Sequence, residues 1–446
     1  MPRPDVVVIG AGFAGLSAAV RLVQRGASVL VVEQHRRLGG RATAFADAQT
    51  GEIVDNGQHA VFGCYHETFT FLRAIDAERY VALDEQLDIE VVDRHQRRTR
   101  LVTPAWPPPM HLVGGLLRWS ALGWRDRAAA VRMGLVLRRL SHLTDENTWA
   151  RLGGQTAEAW LIECGQTPRL RELLWEPLVV AALNQSPATA AAAPFARVLA
   201  RMFGGTRSDA AIGLPRVPLD QLYAEPARRW LEERGSVVTV GTAATLVVER
   251  ERAVGVDLRG ERIEAGAVVS SVPWFSFAAL ADGVGALSTL AAHATRMQAS
   301  PIVTVNLWYD RSVTDTTFVG LPGRTFQWVF DKGRLFGGAT SHLSLVSSGA
   351  DAVVGMSNDD LSALAHDEVR TALPAAASAR VVRAIVVREK RATFSLAPGQ
   401  PPRPGAETPV RGFYLAGDWT DTGLPATIEG AVDSGHRAAA LVTRNS

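Results

Sequence analysis

The chain has 446 residues, 47% of them hydrophobic, which is enough for two domains with a sizeable core. A formal net charge of +2 gives no electrostatic case for nucleic acid. The two cysteines, Cys64 and Cys164, show neither a disulfide framework nor metal-ligand spacing; they fit a reducing, cytoplasmic setting with no metal centre, and no apolar run is long enough to span a bilayer.

The first predicted element is a short strand, Val6 to Ile9, running into Gly10-Ala11-Gly12-Phe13-Ala14-Gly15 and a helix that begins at about Gly12. Asp5 and the three glycines argue against a secretory leader. Gly10 permits a tight turn, Gly12 leaves no side chain in the way of a pyrophosphate, and Gly15 lets the helix pack on the strand. The helix N-terminus then offers free N–H groups to the phosphates. A second strand, Ser28 to Val32, ends at Glu33, where an acid accepts ribose hydroxyls. Strand, glycines, helix, strand and acid in that order read as a dinucleotide site, with Gly10, Gly12, Ala14, Gly15 and Glu33 as contacts. Leu38-Gly39-Gly40-Arg41 follows, with backbone at Gly40 close to a ligand and the Arg41 fork able to hold a phosphate. This second element looks like FAD enzymes of the amine oxidase and phytoene desaturase superfamily.

Asp55-Asn56-Gly57-Gln58-His59 is a polar cluster between apolar segments that can face flavin and substrate. His59, with an ordinary pKa near 6.5, is a candidate proton donor; the alternative is a hydrogen-bonded turn. Residues 76–212 read as mainly helical, most clearly from Trp119 to Leu143. Between His111 and Leu140, arginines alternate with Leu, Val and Trp. Such a basic amphipathic helix can lie in a bilayer interface, or it can bury its apolar face and leave its arginines in water.

From Gly213 the nucleotide signals return. A helix is expected over Pro226 to Glu233. Short strands at Val237 to Val240, Ala244 to Glu249 and Val254 to Leu258 resemble the β-meander of FAD domains, with Ala244 where relatives often carry valine against the adenine. Ala267 to Pro273 reads as a buried strand that stops at proline. Residues 291–400 mix strands (Ile302 to Tyr309, Thr325 to Phe330, Arg380 to Lys390) with a helix over Asp359 to Leu373, and Glu389 ends the last strand as a catalytic candidate. At the C-terminal end a strand leads to Ala416, Gly417 allows close approach, and Asp418 can accept from ribityl hydroxyls. A helix starting near Thr427 and Ile428 points its N–H groups at the flavin. Asp421 is a further acid near the flavin edge. The expected fold is α/β, a Rossmann-like FAD-binding domain of glutathione-reductase type with an inserted α+β substrate domain. The FAD domain would comprise residues 1–75, 213–290 and 395–446, and the substrate domain 76–212 and 291–394.

The segments DNGQHAVFGCY, WEPLVVAALNQSP, LPRVPLDQLY, EKRATF and LAGDWTDTGLPATIEGAVDSG resemble the squalene-associated FAD-dependent desaturase family, whose members act as hydroxysqualene dehydroxylases. The resemblance runs from the first glycine motif to the last helix. It implies bacterial squalene or hopanoid biosynthesis, FAD, an isoprenoid substrate, an electron donor the sequence does not identify, and work in the cytoplasm or on the inner face of its membrane. The implied reaction removes an allylic hydroxyl reductively: an acid (His59, Asp421 or Glu389) protonates the leaving group, and reduced flavin delivers hydride to an allylic cation-like carbon. Two rival readings are a carotenoid or phytoene-type desaturase, and a non-catalytic prenyl carrier of the GDP dissociation inhibitor type. The intact glycine, Glu33, Arg41 and Asp418 set argues against the carrier.

Overall fold

The computed structural model describes residues 3–140, 146–338 and 341–445. At its centre lies a five-stranded parallel sheet in the order Val237–Val240, Val29–Glu33, Val6–Ile9, Ala267–Ser270, Phe413–Leu415. All but the edge strand Val237–Val240 are buried along their whole length, as parallel strands covered on both faces are. Alternate side chains feed two cores. Val6 and Val8 pack with the helices Phe13–Val23 and Ile428–Asn445, whereas Val7 and Ile9 face the core that holds the antiparallel meander and the helices between Met110 and Gly204. Ala267–Ser270 lies between the first and last strands, with Ser270 opposite both Ile9 and Leu415. The two ends of the chain therefore share one sheet. Their helices also cross closely, because any side chain at Gly435 would collide with the Ala14 carbonyl.

A second, seven-stranded sheet runs Val381–Phe394, Ala299–Tyr309, Ser341–Ser348, Trp328–Asp331, Phe318–Gly320, Asp88–Val92, Arg98–Val102. Val303, Val305 and Leu307 pack one face of it against the helix Asn358–Ala372. Helices between Met110 and Gly204 share a core with the hairpin strands Asp88–Val92 and Arg98–Val102.

Three expectations differ from this fold. Val237–Val240 leaves the meander and pairs in parallel with Val29–Glu33; the meander is Thr245–Glu249, Arg252–Leu258 and Glu261–Glu264. The mainly helical reading of 76–212 misses the hairpin Asp88–Val92 with Arg98–Val102. Its alternation is carried by charged residues that pair across the strands, Arg98 with Glu90 and Arg100 with Asp88. The single run from Trp119 splits in two: Trp119 closes the helix Met110–Arg118, and a new helix, Trp124–Leu140, begins after Gly123, whose N–H donates to Asp126 at 2.8 Å. Positions 141–143 lie outside the described residues.

Candidate active site

The glycine turn divides its labour. Gly10 has φ +101, and a Cβ there or at Gly15 would collide with Ser271 or with the Gly10 carbonyl, so these two glycines serve the fold. Gly12 is different. Its φ is an ordinary −87, and the nearest atom a Cβ would meet is the Gly39 carbonyl oxygen at 3.9 Å. Its bareness keeps open a cradle faced by Gly40, which has φ +58. No side chain caps the helix that starts there, so its first N–H groups are free for an anion. Buried Glu33 sits at the rim, accepting from the Ala11 and His35 N–H groups at 2.9 Å each. The Thr242 N–H donates to the Glu33 carbonyl at 3.0 Å, which brings half-buried Ala244 beside this rim. Ala14 is buried beneath the turn, where it meets the closing helix. An uncapped helix, a bare glycine and a fixed acid fit the pyrophosphate and ribose of FAD.

Arg41 joins the two ends. Its Nη2 donates to Asp418 Oδ1 at 2.6 Å and its Nη1 to the Ala392 carbonyl at 2.7 Å, with Trp274 5.4 Å away beneath the guanidinium. Asn56 Nδ2 donates to the Arg41 carbonyl at 3.1 Å and to Glu389 Oε2 at 3.4 Å. Arg41, Asn56, Glu389 and Asp418 thus form one polar cluster. Gly417, with φ +129, lets the chain turn into Asp418, and its N–H is held by Ser434 Oγ at 2.8 Å. Thr427 Oγ1 accepts from the Gly430 N–H at 3.1 Å and so caps the closing helix, whose first residue is Ile428.

The Asp55–His59 loop is anchored from the second sheet's side by Lys332, a residue that no motif singles out. Lys332 Nζ lies 2.6 Å from Asp55 Oδ2 and 2.7 Å from Gln58 Oε1, with both ion-pair partners almost fully buried. Burial pushes the ammonium pKa down, and Asp55 opposes it. His59 Nδ1 is bonded to the Gly57 carbonyl at 2.8 Å. Burial pushes its pKa below 6.5 and the nearby Lys332 and Arg41 charges add to this, while Gly57 and Asp55 act the other way. Neutral His59 therefore spends its proton on Gly57 and presents Nε2 as an acceptor. Thr304, on the strand Ala299–Tyr309 of the second sheet, points at this loop: its Oγ1 is buried, has no hydrogen-bond partner, and lies 3.8 Å from where a Gly57 Cβ would stand. Asp421 is set apart, exposed and paired with Arg403 at 3.2 Å. Glu429, unremarked in the sequence, is buried and caps the helix His66–Ala74 by accepting from the Glu67 and Thr68 N–H groups.

An apolar pocket of about 70 Å³ lies between the second sheet and the helices beside it. Phe62, three residues after His59, Trp328 and Trp119 line it, and the Trp175–Asn184 segment contributes Pro177, Leu178 and Ala181. Asn184, at the end of that segment, is a strut: its side chain bonds Ser300, Thr393 and Gly349. A wider groove of about 800 Å³ between Trp308 and Arg383 is lined by charge, and its Arg311, Arg334 and Arg383 are paired with Asp310, Asp331 and Asp47. That lining does not suit a polyprene. Among the described residues no group of three or more His, Cys, Asp and Glu is placed to hold a metal ion.

A sheet shared by both chain ends, with a glycine cradle at one strand and Asp418 at another, defines a flavoprotein oxidoreductase. The family described as flavin containing amine oxidoreductase matches residues 13–443. Hydroxysqualene dehydroxylase from Rhodopseudomonas palustris is 32% identical over 98% of this chain and 98% of its own length. The enzyme of the same name from Sinorhizobium fredii is 30% identical over 99% and 98%. The chain belongs to the hydroxysqualene dehydroxylase family within the flavin-containing amine oxidoreductases, and is an FAD-dependent oxidoreductase. 15-cis-Phytoene desaturase of Synechococcus elongatus is also related, at 24% identity over 98% of this chain and 96% of its own length. Among solved structures, putrescine oxidase shares the fold with a TM-score of 0.74 at 18% identity, covering 99% of each chain.

Proposed function

We propose that the protein removes the allylic hydroxyl of hydroxysqualene reductively, giving squalene and water. The observation that carries this reading is full-length identity of 30–32% to hydroxysqualene dehydroxylases. An apolar pocket whose lining includes Phe62, three residues along the chain from His59, agrees with it. Gly12, Gly40, Glu33, Arg41, Asp418 and the N-terminal turn at Thr427 and Ile428 would hold FAD, and Ala244 would lie near its adenine. When bound and reduced, FAD supplies the hydride equivalent. The chain's own residues do the rest. The pocket walls orient the polyprene and exclude the water that would otherwise capture a cationic carbon. Its volume is well below the roughly 300 Å³ of usual ligand sites, so the substrate enters by displacing side chains. The departing hydroxyl takes one proton. His59 and Glu389, both half-buried, are the proposed donors; Asp421, exposed and paired with Arg403, is the weaker one. A protonated His59 gains acid strength from its burial, because the same desolvation that lowers its pKa favours proton release.

The protein works in the cytoplasm in this proposal. Its thiols agree with that setting: burial pushes Cys64 up to about 12 and Cys164 up to about 11, so neither is a reactive thiolate. No helix among the described residues is long and apolar enough to cross a membrane. Anaerobic incubation with a reductant and hydroxysqualene, followed by mass spectrometry, tests the reaction. Squalene is the expected product; desaturation of phytoene in the presence of an oxidant, without dehydroxylation, would overturn it in favour of the desaturase reading.

A further inference from the structure

Six of the nine large apolar side chains exposed among the described residues fall between positions 106 and 135: Trp106, Met110, Leu117, Trp124, Val131 and Leu135. Trp124 is 73% exposed and Leu135 58%. With Ala128, residues Trp124, Val131 and Leu135 follow helical spacing on Trp124–Leu140 and form one outward stripe. The same helix buries Ala129, Ala130, Met133, Leu137 and Leu140 on its inner side. It thus has two apolar faces, and the fold uses one.

The charge around the outer stripe is one-sided. Met110 to Leu140 holds six arginines and a single acid, Asp126, in a chain whose net charge is +2. The Asp126 carboxylate is committed to the Gly123 N–H and to Thr167 Oγ1. Arg118 lies over Trp106 at 4.9 Å and Arg125 over Trp124 at 5.3 Å, so cation and indole are presented together. Exposed tryptophans with arginines at their edges, and no free carboxylate between Met110 and Leu140, match a layer of anionic headgroups over acyl chains. The stripe also adjoins the pocket: Trp119, which lines it, directly follows exposed Leu117 and Arg118.

We propose that the surface from Trp106 to Met110, Leu117 and the outer face of helix Trp124–Leu140 docks on an anionic phospholipid bilayer, and that substrate passes from the acyl layer into the pocket beside Trp119. The docking stands on this surface alone; the passage of substrate rests on the dehydroxylase reading. The test is flotation of FAD-loaded protein with phosphatidylcholine vesicles, with and without phosphatidylglycerol. Binding is expected only with the anionic lipid, and it should fall at least tenfold when salt rises from about 0.1 to about 1 M. Arg125→Glu with Arg132→Glu should weaken it by about fivefold or more per site, and Trp124→Glu with Leu135→Glu should abolish it. These side chains are exposed, so flavin content and turnover of detergent-dispersed hydroxysqualene should stay unchanged. Equal flotation of wild type and variants, no flotation at all, or a dimer in sedimentation that Trp124→Glu dissolves would overturn the proposal, the last in favour of a second copy of the chain. Vesicle binding without dehydroxylation would sink the assigned reaction and leave the docking surface standing.

Discussion

Replacing Lys332 by methionine tests how the far side of the site holds the Asp55–His59 loop. The ammonium donates to Asp55 Oδ2 and Gln58 Oε1 and sits 3.9 Å from the centre of the Phe336 ring. Methionine fills similar volume but removes the charge. Asp55 then keeps only the Leu219 N–H, at 3.1 Å on its other oxygen, and remains 4% exposed. Breaking a buried pair by removing one partner costs about 3–5 kcal/mol, chiefly because the surviving charge is uncompensated. The orphaned Gln58 carbonyl adds about 1 kcal/mol. A second change, Asp55→Asn, removes that stranded charge, so the double variant should recover most of the loss, to within about 2 kcal/mol of wild type. Urea unfolding of the apoprotein, followed by tryptophan fluorescence, gives all four corners of the cycle. If Lys332→Met costs under about 1 kcal/mol, or if the two changes add without coupling, the pair does not hold the loop as described. Turnover should fall in the single variant together with stability, since Gln58 also bonds the His59 carbonyl at 3.0 Å.

Gly12→Ala and Gly15→Ala should part company. The first meets no protein atom closer than 3.9 Å and should fold normally yet emerge without flavin absorbance; the second collides with the Gly10 carbonyl and should lose about 1–3 kcal/mol or more of stability. Arg41→Ala should weaken FAD about 10–100-fold in a fluorescence titration, because it strips a charge-assisted bond of about 1.5–3 kcal/mol from Asp418. If His59 is the proton donor, its lowered pKa means that the active, protonated form is a minority above 6.5. The value of kcat/KM for pre-reduced enzyme should then fall about tenfold per pH unit from pH 6.5 to 8, and His59→Gln should flatten that slope. A slope that survives the substitution would rule His59 out as the donor. Thr304→Val should leave stability near wild type, because the buried hydroxyl has no partner to lose; a drop in turnover would show that it meets ligand.

The parts of the site legible in the sequence are those built from neighbours in the chain. Val6–Ile9, the glycines and Glu33 announce a strand, a turn and a second strand because each constraint acts within a few tens of residues. Gly417 and Asp418 are legible for the same reason. Lys332 is not. Its meaning comes from Asp55 and Gln58, which lie far back in the sequence, and one of two lysines in an arginine-rich chain looks like a compositional remnant. Thr304 and Glu429 are hidden likewise, one as a β-branched residue that suits any strand, the other as an acid at a helix start that caps a different helix. The hairpin at Asp88–Val102 escaped because opposite charges, and not apolar side chains, occupy its outer face. Val237–Val240 shows the limit of pattern: four residues of valine and threonine suit a meander or a sheet edge equally, and only pairing with Leu30 to Glu33 decides.

The arrangement of strands in the parallel sheet bears on how the protein comes into being. Synthesis runs from Val6–Ile9 through Ala267–Ser270 to Phe413–Leu415, yet these three lie side by side. Until the last of them emerges, Ala267–Ser270 presents an unpaired backbone edge, and the helix Phe13–Val23 bares the apolar flank that Ile428–Asn445 later covers. Such a nascent chain folds slowly and is prone to stick to its neighbours. Its yield in a foreign host should therefore rise with holding chaperones.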